Sequence, residues 1–182
     1  YRYIHDIFTE NGANNVLWVW NPNEKSFPDF TWNAMEMYYP GNEYVDIIGL
    51  TGYNTGTYYS GESWRSFRQI YSGLYQKYEA MFSQPLMITE FGCSSIGGDK
   101  AMWIANMFQE LPNYPAIKVA IWWNGCDWAV PGEVQARPYW VNETEQTLDS
   151  FKQGWAAQTA ALKAKEEAAK AAQVQQEEAI GQ

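Results

Sequence analysis

Glu90 is the first residue to suggest chemistry, because it ends an apolar segment. In the stretch QPLMITEFGCSS, the residues Leu86 to Thr89 run directly into its carboxylate. A segment of this composition is typical of a buried strand, and a charged group is costly to bury without a partner. We interpret Glu90 as a functional acid placed at a strand end, with a salt-bridged structural acid as the alternative.

Polar and aromatic residues also end three other apolar segments, namely Asn21 and Asn23, Tyr53 and Asn54, and Trp122, Trp123 and Asn124. The chain holds ten tryptophans and thirteen tyrosines, and a flat ring can stack on the apolar face of a sugar. Any one of these rings can instead simply pack in the core. A carboxylate among aromatic rings suggests glycoside hydrolysis, in which two acids flank the scissile bond.

Four apolar segments are predicted to form the strands that position these residues. They are nearly continuous in their apolar character, as a parallel sheet buried on both faces requires, and they are Asn15 to Asn23, Tyr44 to Asn54, Pro85 to Gly92 and Ile117 to Gly125. Helical patterns lie between or before them, at Tyr1 to Gly12, Ser63 to Phe82 with Ser63 as its cap, and Gly98 to Leu111. Because catalytic groups of α/β barrels lie at the carboxyl ends of strands, Glu90 is expected in such a site.

The predicted fold class is α/β, with four βα units. A closed eight-stranded barrel usually takes about 250 residues, so residues 1–155 are interpreted as half of a (β/α)8 TIM barrel. The tail, residues 156–182, is rich in Ala, Glu, Lys and Gln, which are strong helix formers. It is predicted to be an exposed helix or linker, or else the last barrel helix continuing past Phe151 and Trp155.

Charge and composition exclude several classes of partner. The net charge is −9, with no cluster of basic residues, so neither nucleic acid nor an acidic membrane is an expected partner. No apolar run approaches the ~20 residues that span a bilayer. No His, Cys, Asp or Glu pair has metal-ligand spacing, and no glycine-rich loop has the phosphate-binding pattern. No metal or cofactor is expected.

Five blocks of sequence together resemble the C-terminal half of glycoside hydrolase family 26, and they are NVLWVWNPN, YYPGNEYVDIIGLTGYN, SWRSF, PLMITEFGCSSIGGDKAMWI and IKVAIWWN. That family contains (β/α)8 barrels that act on β-mannan, and some that act on mixed-linkage glucan or β-1,3-xylan. The resemblance implies that Glu90 is the nucleophile of a retaining mechanism, that Tyr53 hydrogen-bonds it, and that Trp122 forms the floor of the sugar subsite. It also implies a secreted or cell-surface protein.

The resemblance places the general acid/base before Tyr1, outside this sequence. We therefore expect the isolated chain to be inactive, and an N-terminal half-barrel that carries the acid/base to restore activity. A second copy of the chain is the alternative partner for the half-barrel. The expected substrate is β-1,4-mannan, with mixed-linkage β-1,3-1,4-glucan or β-1,3-xylan as alternatives. A different class of function, a non-catalytic half-barrel or sugar-binding scaffold, remains open.

Secondary candidates complete the predicted site. Asn54, Trp123 and Trp128 are expected to bind substrate. Asp127 and Glu133, in a predicted loop with Trp128, Tyr139 and Trp140, either line the cleft or are solvated. Structural roles are predicted for the other polar candidates: stability for Asp46, helix capping for Asp99, and packing or surface exposure for His5. A disulfide between Cys93 and Cys126 is left open, since it requires Cα atoms within about 7 Å.

Overall fold

A parallel four-stranded sheet forms the centre of the computed structural model, which describes residues 1–180. Its strands are β1 (Val19–Trp20), β2 (Ile47–Asn54), β3 (Leu86–Cys93) and β4 (Ile117–Trp122), in the order β1-β2-β3-β4. All three strand pairs are parallel. The predicted α/β fold with a parallel sheet is confirmed, although β1 is much shorter than the apolar segment that predicted it.

Four α-helices accompany the sheet in the described chain: α1 (Arg2–Glu10), α2 (Phe67–Met81), α3 (Lys100–Glu110) and α4 (Glu145–Ile180). The cap of α2 is Ser66 rather than the predicted Ser63. Ser66 forms a capping box, in which its side chain accepts from the Gln69 amide and the Gln69 side chain accepts from the Ser66 amide. Asp99 caps α3 as predicted, accepting from the Met102 amide at 2.9 Å.

Within residues 1–180, the helices that contact the sheet cover one of its faces. Ile48 and Leu50 of β2 are fully buried on that face, and the Tyr71 hydroxyl of α2 donates to the Gly52 carbonyl at 2.8 Å. We call the opposite side the inner face. On it, Val119 and Ile121 of β4 are 43% and 47% exposed. The apolar core therefore lies between the sheet and its helices.

A β-hairpin follows β4 where the sequence predicted a loop. Its strands β5 (Cys126–Val130) and β6 (Val134–Pro138) are antiparallel. The loop prediction for this segment was wrong, because Pro131 and Gly132 form a turn between two short extended runs. Gly132 has φ 76°, which glycine adopts without strain. Asp127 lies on β5 and Glu133 in the turn.

The last helix is partly packed and partly exposed. Phe151 of α4 meets Phe108 of α3 with ring centroids 5.4 Å apart, whereas residues 160–177 are exposed throughout. Each of the two alternatives for the tail thus describes one part of α4. The predicted boundary at residues 155 and 156 falls inside this continuous helix and stays a prediction. Gly181 and Gln182, the end of the predicted tail, lie outside the described residues.

Two further predictions concern membrane spans and cysteines. Across residues 1–180, the helices lack the combination of length and apolar character needed to cross a bilayer. Cys93 and Cys126 are both free thiols, and Cys93 is buried with its sulfur 3.2 Å from the Asn54 amide nitrogen. The disulfide that the sequence left open is not formed in this structure.

Gly154 permits the close contact of α4 with α3, which gives a test of the packing. A Cβ at this position would lie 2.0 Å from Phe108 Cδ2. We expect Gly154→Ala to lower the free energy of unfolding by about 1–3 kcal/mol, as overpacked sites do, although alanine favours helices. The matched control is Gly73→Ala in α2, where a Cβ would meet nothing within 4 Å and should stabilise by about 0.5–1 kcal/mol. Urea unfolding measures the change in the free energy of unfolding for both variants. If both variants were stabilised, or both destabilised, the described packing of α4 on α3 would be contradicted.

Candidate active site

A β-bulge in β3 places one extra residue beside the sheet partner β2. Leu50 pairs with Ile88, but the next residue, Thr51, pairs with Glu90. Thr89 is therefore the additional residue. The pairing with β4 slips over the same stretch of β3. A bulge of this kind changes the direction of the side chains that follow it.

The bulge turns Glu90 away from the core. Leu86 and Ile88 are 1% and 0% exposed on the helix-covered face, and strict alternation would place Glu90 on that face as well. After the bulge, Phe91 and Cys93 occupy the helix-covered face instead, at 3% and 0% exposure. Glu90 lies on the inner face, where it is exposed. This geometry explains how a buried strand can end in a carboxylate.

Tyr53 and Glu90 form a hydrogen-bonded pair at the carboxyl edge of the sheet. The Tyr53 hydroxyl donates to Glu90 Oε1. Burial, followed by the hydrogen bond to Glu90, raises the pKa of Tyr53 above its ordinary value. The phenol therefore keeps its proton, and remains a donor, throughout the neutral range. The structure brings together the two residues that the resemblance assigned to each other.

Two more aromatic rings adjoin this pair. The ring of Tyr139 lies 4.9 Å from that of Tyr53, and the ring of Trp123 lies 5.3 Å from Tyr139 and 6.2 Å from Tyr53. Tyr139 can lie this close because β3 has glycine at position 92, where a Cβ would be 3.0 Å from Tyr139 Cδ1. We call Tyr53, Tyr139 and Trp123 the aromatic wall. Tyr139 was predicted only as a possible cleft residue, and Gly92 was not predicted as part of the site.

Arg137 attaches the hairpin to the loop before α2. Its guanidinium donates to Glu62 Oε1 at 2.7 Å and to Asp127 Oδ2 at 2.9 Å, and it lies 4.9 Å from the Tyr59 ring centre. Asp127, a candidate acid in the sequence analysis, is thus an ion-pair partner within the hairpin. Glu133 is exposed at the hairpin turn. Trp128 is on β5, 38% exposed, with its ring 6.1 Å from that of Trp140.

Trp122 is partly buried and packs against the core, outside the aromatic wall. Its indole nitrogen donates to the Tyr139 carbonyl at 2.7 Å, and its ring packs edge-on against Phe91 at 5.1 Å and Phe151 at 6.1 Å. Adjacent residues of a strand point to opposite faces. Trp122 therefore takes the helix-covered side, and Trp123 is the tryptophan beside Tyr53.

Asn54 is also structural. It is fully buried, and its Oδ1 accepts from the Arg65 amide at 3.0 Å and the Gly56 amide at 3.4 Å. Asn54 follows Tyr53 in β2 and so points to the opposite face. The prediction that Asn54 contacts substrate is replaced by a role in holding the loop after β2.

His5 and Asp46 also occupy structural positions. The His5 ring lies 5.1 Å from Trp18 and 5.0 Å from Tyr44, and Asp46 accepts from the Trp18 amide at 2.7 Å. Within residues 1–180, no group of three or more His, Cys, Asp or Glu residues is placed to hold a metal ion.

A cavity of about 390 Å³ opens beyond the carboxyl end of β1. Amide, hydroxyl, ammonium and aromatic groups line it, including Asn21, Asn23, Lys25, Phe27 and Tyr38. Because the strands are parallel, it lies at the same edge of the sheet as Glu90.

The fold and site define an α/β protein of parallel type with a carboxylate and aromatic rings at the carboxyl edge of its strands. The sequence model of glycosyl hydrolase family 26 matches residues 1–123 of the chain. Endoglucanase H of Acetivibrio thermocellus is 38% identical over 141 residues, which cover 75% of this chain and 15% of that protein. The chain belongs to glycosyl hydrolase family 26.

Two other proteins are similar to the chain. A mannan endo-1,4-beta-mannosidase of Bacillus subtilis is 41% identical over 59 residues, covering 32% of this chain and 15% of that protein. A solved structure described as "Structural analysis of an exo-beta-agarase" matches the chain with a TM-score of 0.54 and 15% sequence identity. The match covers 87% of this chain and 22% of the chain in that structure. The last likeness concerns the fold alone. The chain spans only a small part of each of these proteins.

The two adjacent tryptophans should respond differently to truncation. We expect Trp122→Ala to lower the free energy of unfolding by about 3 kcal/mol or more, because the indole is packed on the core and hydrogen-bonded. Trp123→Ala should cost clearly less. Thermal or urea unfolding of the two variants tests this, and a larger loss for Trp123 would contradict the assignment of the faces.

Proposed function

We propose that this chain is part of a retaining glycoside hydrolase that cleaves β-linked polysaccharide with Glu90 as its nucleophile. The observation that carries the proposal is the Tyr53–Glu90 pair, which stands on the inner face at the carboxyl edge of a parallel sheet. Active sites of α/β barrels lie at this edge. Membership of glycosyl hydrolase family 26 supports the reaction class.

The reaction is a double displacement. Glu90 attacks the anomeric carbon, the bond to the leaving oxygen breaks, and a second carboxyl about 5–5.5 Å away protonates that oxygen. The same carboxyl then removes a proton from water, whose oxygen bonds to the anomeric carbon as the bond from that carbon to Glu90 breaks. Tyr53 donates to one oxygen of Glu90 and so orients the other toward the sugar.

Trp123 replaces Trp122 as the proposed sugar platform. Its ring belongs to the aromatic wall beside Tyr53, and a ring in this position can stack on the sugar that Glu90 attacks. Trp128 on the neighbouring hairpin, 38% exposed, is kept as a second proposed platform. Stacking holds the anomeric carbon in a reactive position, which is a large part of catalysis in such sites.

A second half-barrel would complete the site. The inner face leaves Val119 and Ile121 exposed, and β1 and β4 are edge strands. Apolar surface and strand edges of this kind favour association. We propose that residues 1–155 are the C-terminal half of a (β/α)8 domain, that 156–182 form a helical tail, and that the acid/base lies on the other half. A second copy of the chain, or a non-catalytic sugar-binding scaffold, is the alternative.

β-1,4-Mannan is the proposed substrate, in a protein acting outside the cell. The Bacillus subtilis relative carries the name of a mannan endo-1,4-beta-mannosidase. Mixed-linkage β-1,3-1,4-glucan is the second candidate, because the longer alignment is with an endoglucanase, and β-1,3-xylan is the third. Product analysis on these three polysaccharides with the full-length protein distinguishes them.

Removal of the proposed nucleophile tests the mechanism. In the full-length protein, Glu90→Ala should lower kcat by several orders of magnitude, because an essential covalent step is lost. Azide should partly restore activity on an activated aryl glycoside, since it can enter the space left by the carboxylate. The control is Glu10→Ala at the exposed end of α1, which should keep wild-type activity. A folded Glu90→Ala protein with normal turnover would refute the assignment.

The half-barrel proposal predicts complementation. Residues 1–182 alone should have no measurable activity on mannan or glucan, because they lack the general acid, whose help is typically about 10²–10⁴-fold. Adding a separately produced N-terminal half should restore hydrolysis. If the isolated chain is active by itself, an acid within it, with Asp127 and Glu133 tested first, acts as the acid/base and the proposal fails.

A further inference from the structure

A chain of hydrogen-bonding side chains crosses the inner face of the sheet next to the bulge. Asn21 Nδ2 lies 3.0 Å from Thr51 Oγ1, and Thr51 Oγ1 lies 3.1 Å from Thr89 Oγ1. Thr89 Oγ1 then donates to the Leu50 carbonyl at 3.1 Å. This series of hydrogen bonds thus links the end of β1 to β2 and β3. The reaction described above makes no use of these residues.

The number of hydroxyl protons decides which group donates in each of these hydrogen bonds. Each threonine hydroxyl has one proton to donate. With the Thr89 proton on the Leu50 carbonyl, Thr51 donates to Thr89 and the Asn21 amide donates to Thr51. In the other arrangement Thr51 donates to Asn21 Oδ1 at 3.1 Å, and the contact between the two hydroxyls has no proton. The first arrangement gives a proton to every bond from Asn21 to the Leu50 carbonyl and leaves only the contact of Thr51 Oγ1 with Asn21 Oδ1 without one. Bonds in such a series strengthen one another.

Gly49 leaves the space that the Asn21 side chain needs to reach Thr51. A Cβ at this position would lie 2.7 Å from Asn21 Cβ and 2.7 Å from Asn21 Oδ1. Gly49 and Thr51 are two apart in β2 and so share the inner face. Any side chain at position 49 would displace Asn21 from Thr51.

Thr89 is the extra residue of the bulge, and its hydroxyl is bonded at the point where the register slips. Leu50, whose carbonyl it holds, is the last residue of β2 before the change of pairing. The extra residue of a bulge has no partner in the backbone ladder. Here its side chain supplies a bond to the neighbouring strand, and Glu90 is the next residue along β3.

We propose that Thr89 is a positioning residue for Glu90, and that Thr51 and Asn21 support it through this chain. The proposal rests on the proposed role of Glu90 as nucleophile. The Thr89 hydroxyl fixes the bulge to β2, and the bulge sets the direction of the Glu90 carboxylate. A displacement of about 1 Å in a reacting group can cost about 10²-fold in rate.

Variants of Thr89 in the full-length protein test the proposal. The substrate is an aryl glycoside with a good leaving group, whose departure needs no acid, so that the rate reports the formation and hydrolysis of the glycosyl-enzyme at Glu90. Thr89→Val keeps the shape and loses the hydroxyl, and we expect kcat to fall about 10–100-fold with KM within about two-fold. Thr89→Ser keeps the hydroxyl and should stay within about three-fold of wild type. An unchanged kcat in Thr89→Val would overturn the proposal.

Thr9→Val is the matched control. The Thr9 hydroxyl also donates to a backbone carbonyl, that of His5 at 3.1 Å, but on the exposed helix α1. This variant should keep wild-type kcat and KM. A loss equal to that of Thr89→Val would show that removing any such hydroxyl is enough, and would overturn the proposal.

A double variant separates positioning from a general effect on the sheet. In the Glu90→Ala protein assayed with azide, the group that Thr89 positions is absent, so adding Thr89→Val should change the rate by less than about two-fold. A persistent loss would show that Thr89 acts otherwise. If the Glu90→Ala protein is itself fully active, the proposed function is refuted. That outcome is measured without any Thr89 variant, so it is distinguished from a failure of the positioning role.

Thr51→Val is the second test should Thr89→Val fail to fold by circular dichroism. Its hydroxyl donates to Thr89, so its loss should lower kcat about 3–10-fold and again have no effect in the Glu90→Ala background. An unchanged kcat in a folded Thr51→Val protein would overturn the proposal.

Discussion

The register slip at Thr89 is the constraint on which the site depends. A strand buried against helices must alternate its side chains, and the apolar residues Leu86 and Ile88 take the buried positions. Alternation alone would bury the Glu90 carboxylate, at a large cost in desolvation. One extra residue exchanges the two faces, so that Phe91 continues the core and Glu90 faces out. The core and the carboxylate can both be satisfied only because β3 breaks its regular pairing.

The surroundings of Glu90 follow from close approaches that small residues allow. Gly92 lets Tyr139 lie against β3, which brings its ring to Tyr53, and Gly49 lets Asn21 reach Thr51. The hairpin that precedes Tyr139 is tied down by the ion pairs of Arg137. The aromatic wall is therefore held by contacts from three separate parts of the chain. None of its members is positioned by its own strand alone.

The two faces of the sheet differ in what they leave for other surfaces. The helix-covered face is filled by aromatic and aliphatic side chains, with Trp122 joining Phe91 and Phe151. The inner face carries Glu90 and Tyr53 but also the exposed apolar side chains of β4. Apolar area left in water is unfavourable. The proposed catalytic groups and the surface proposed for association thus share one side, as expected if the site is completed by further barrel strands.

The sequence by itself determined the class of fold and the identity of the central pair. Continuous apolar segments separated by helical patterns predicted a parallel sheet, the strand ends included Glu90 and Tyr53, and the resemblance to the family paired these two residues. Only the tertiary structure decided which neighbours share their face. Trp122 or Trp123, and Tyr53 or Asn54, are adjacent residues that must point in opposite directions, and the choice depends on register. Register is fixed by pairing with other strands and, in β3, by a bulge that no local sequence pattern marked.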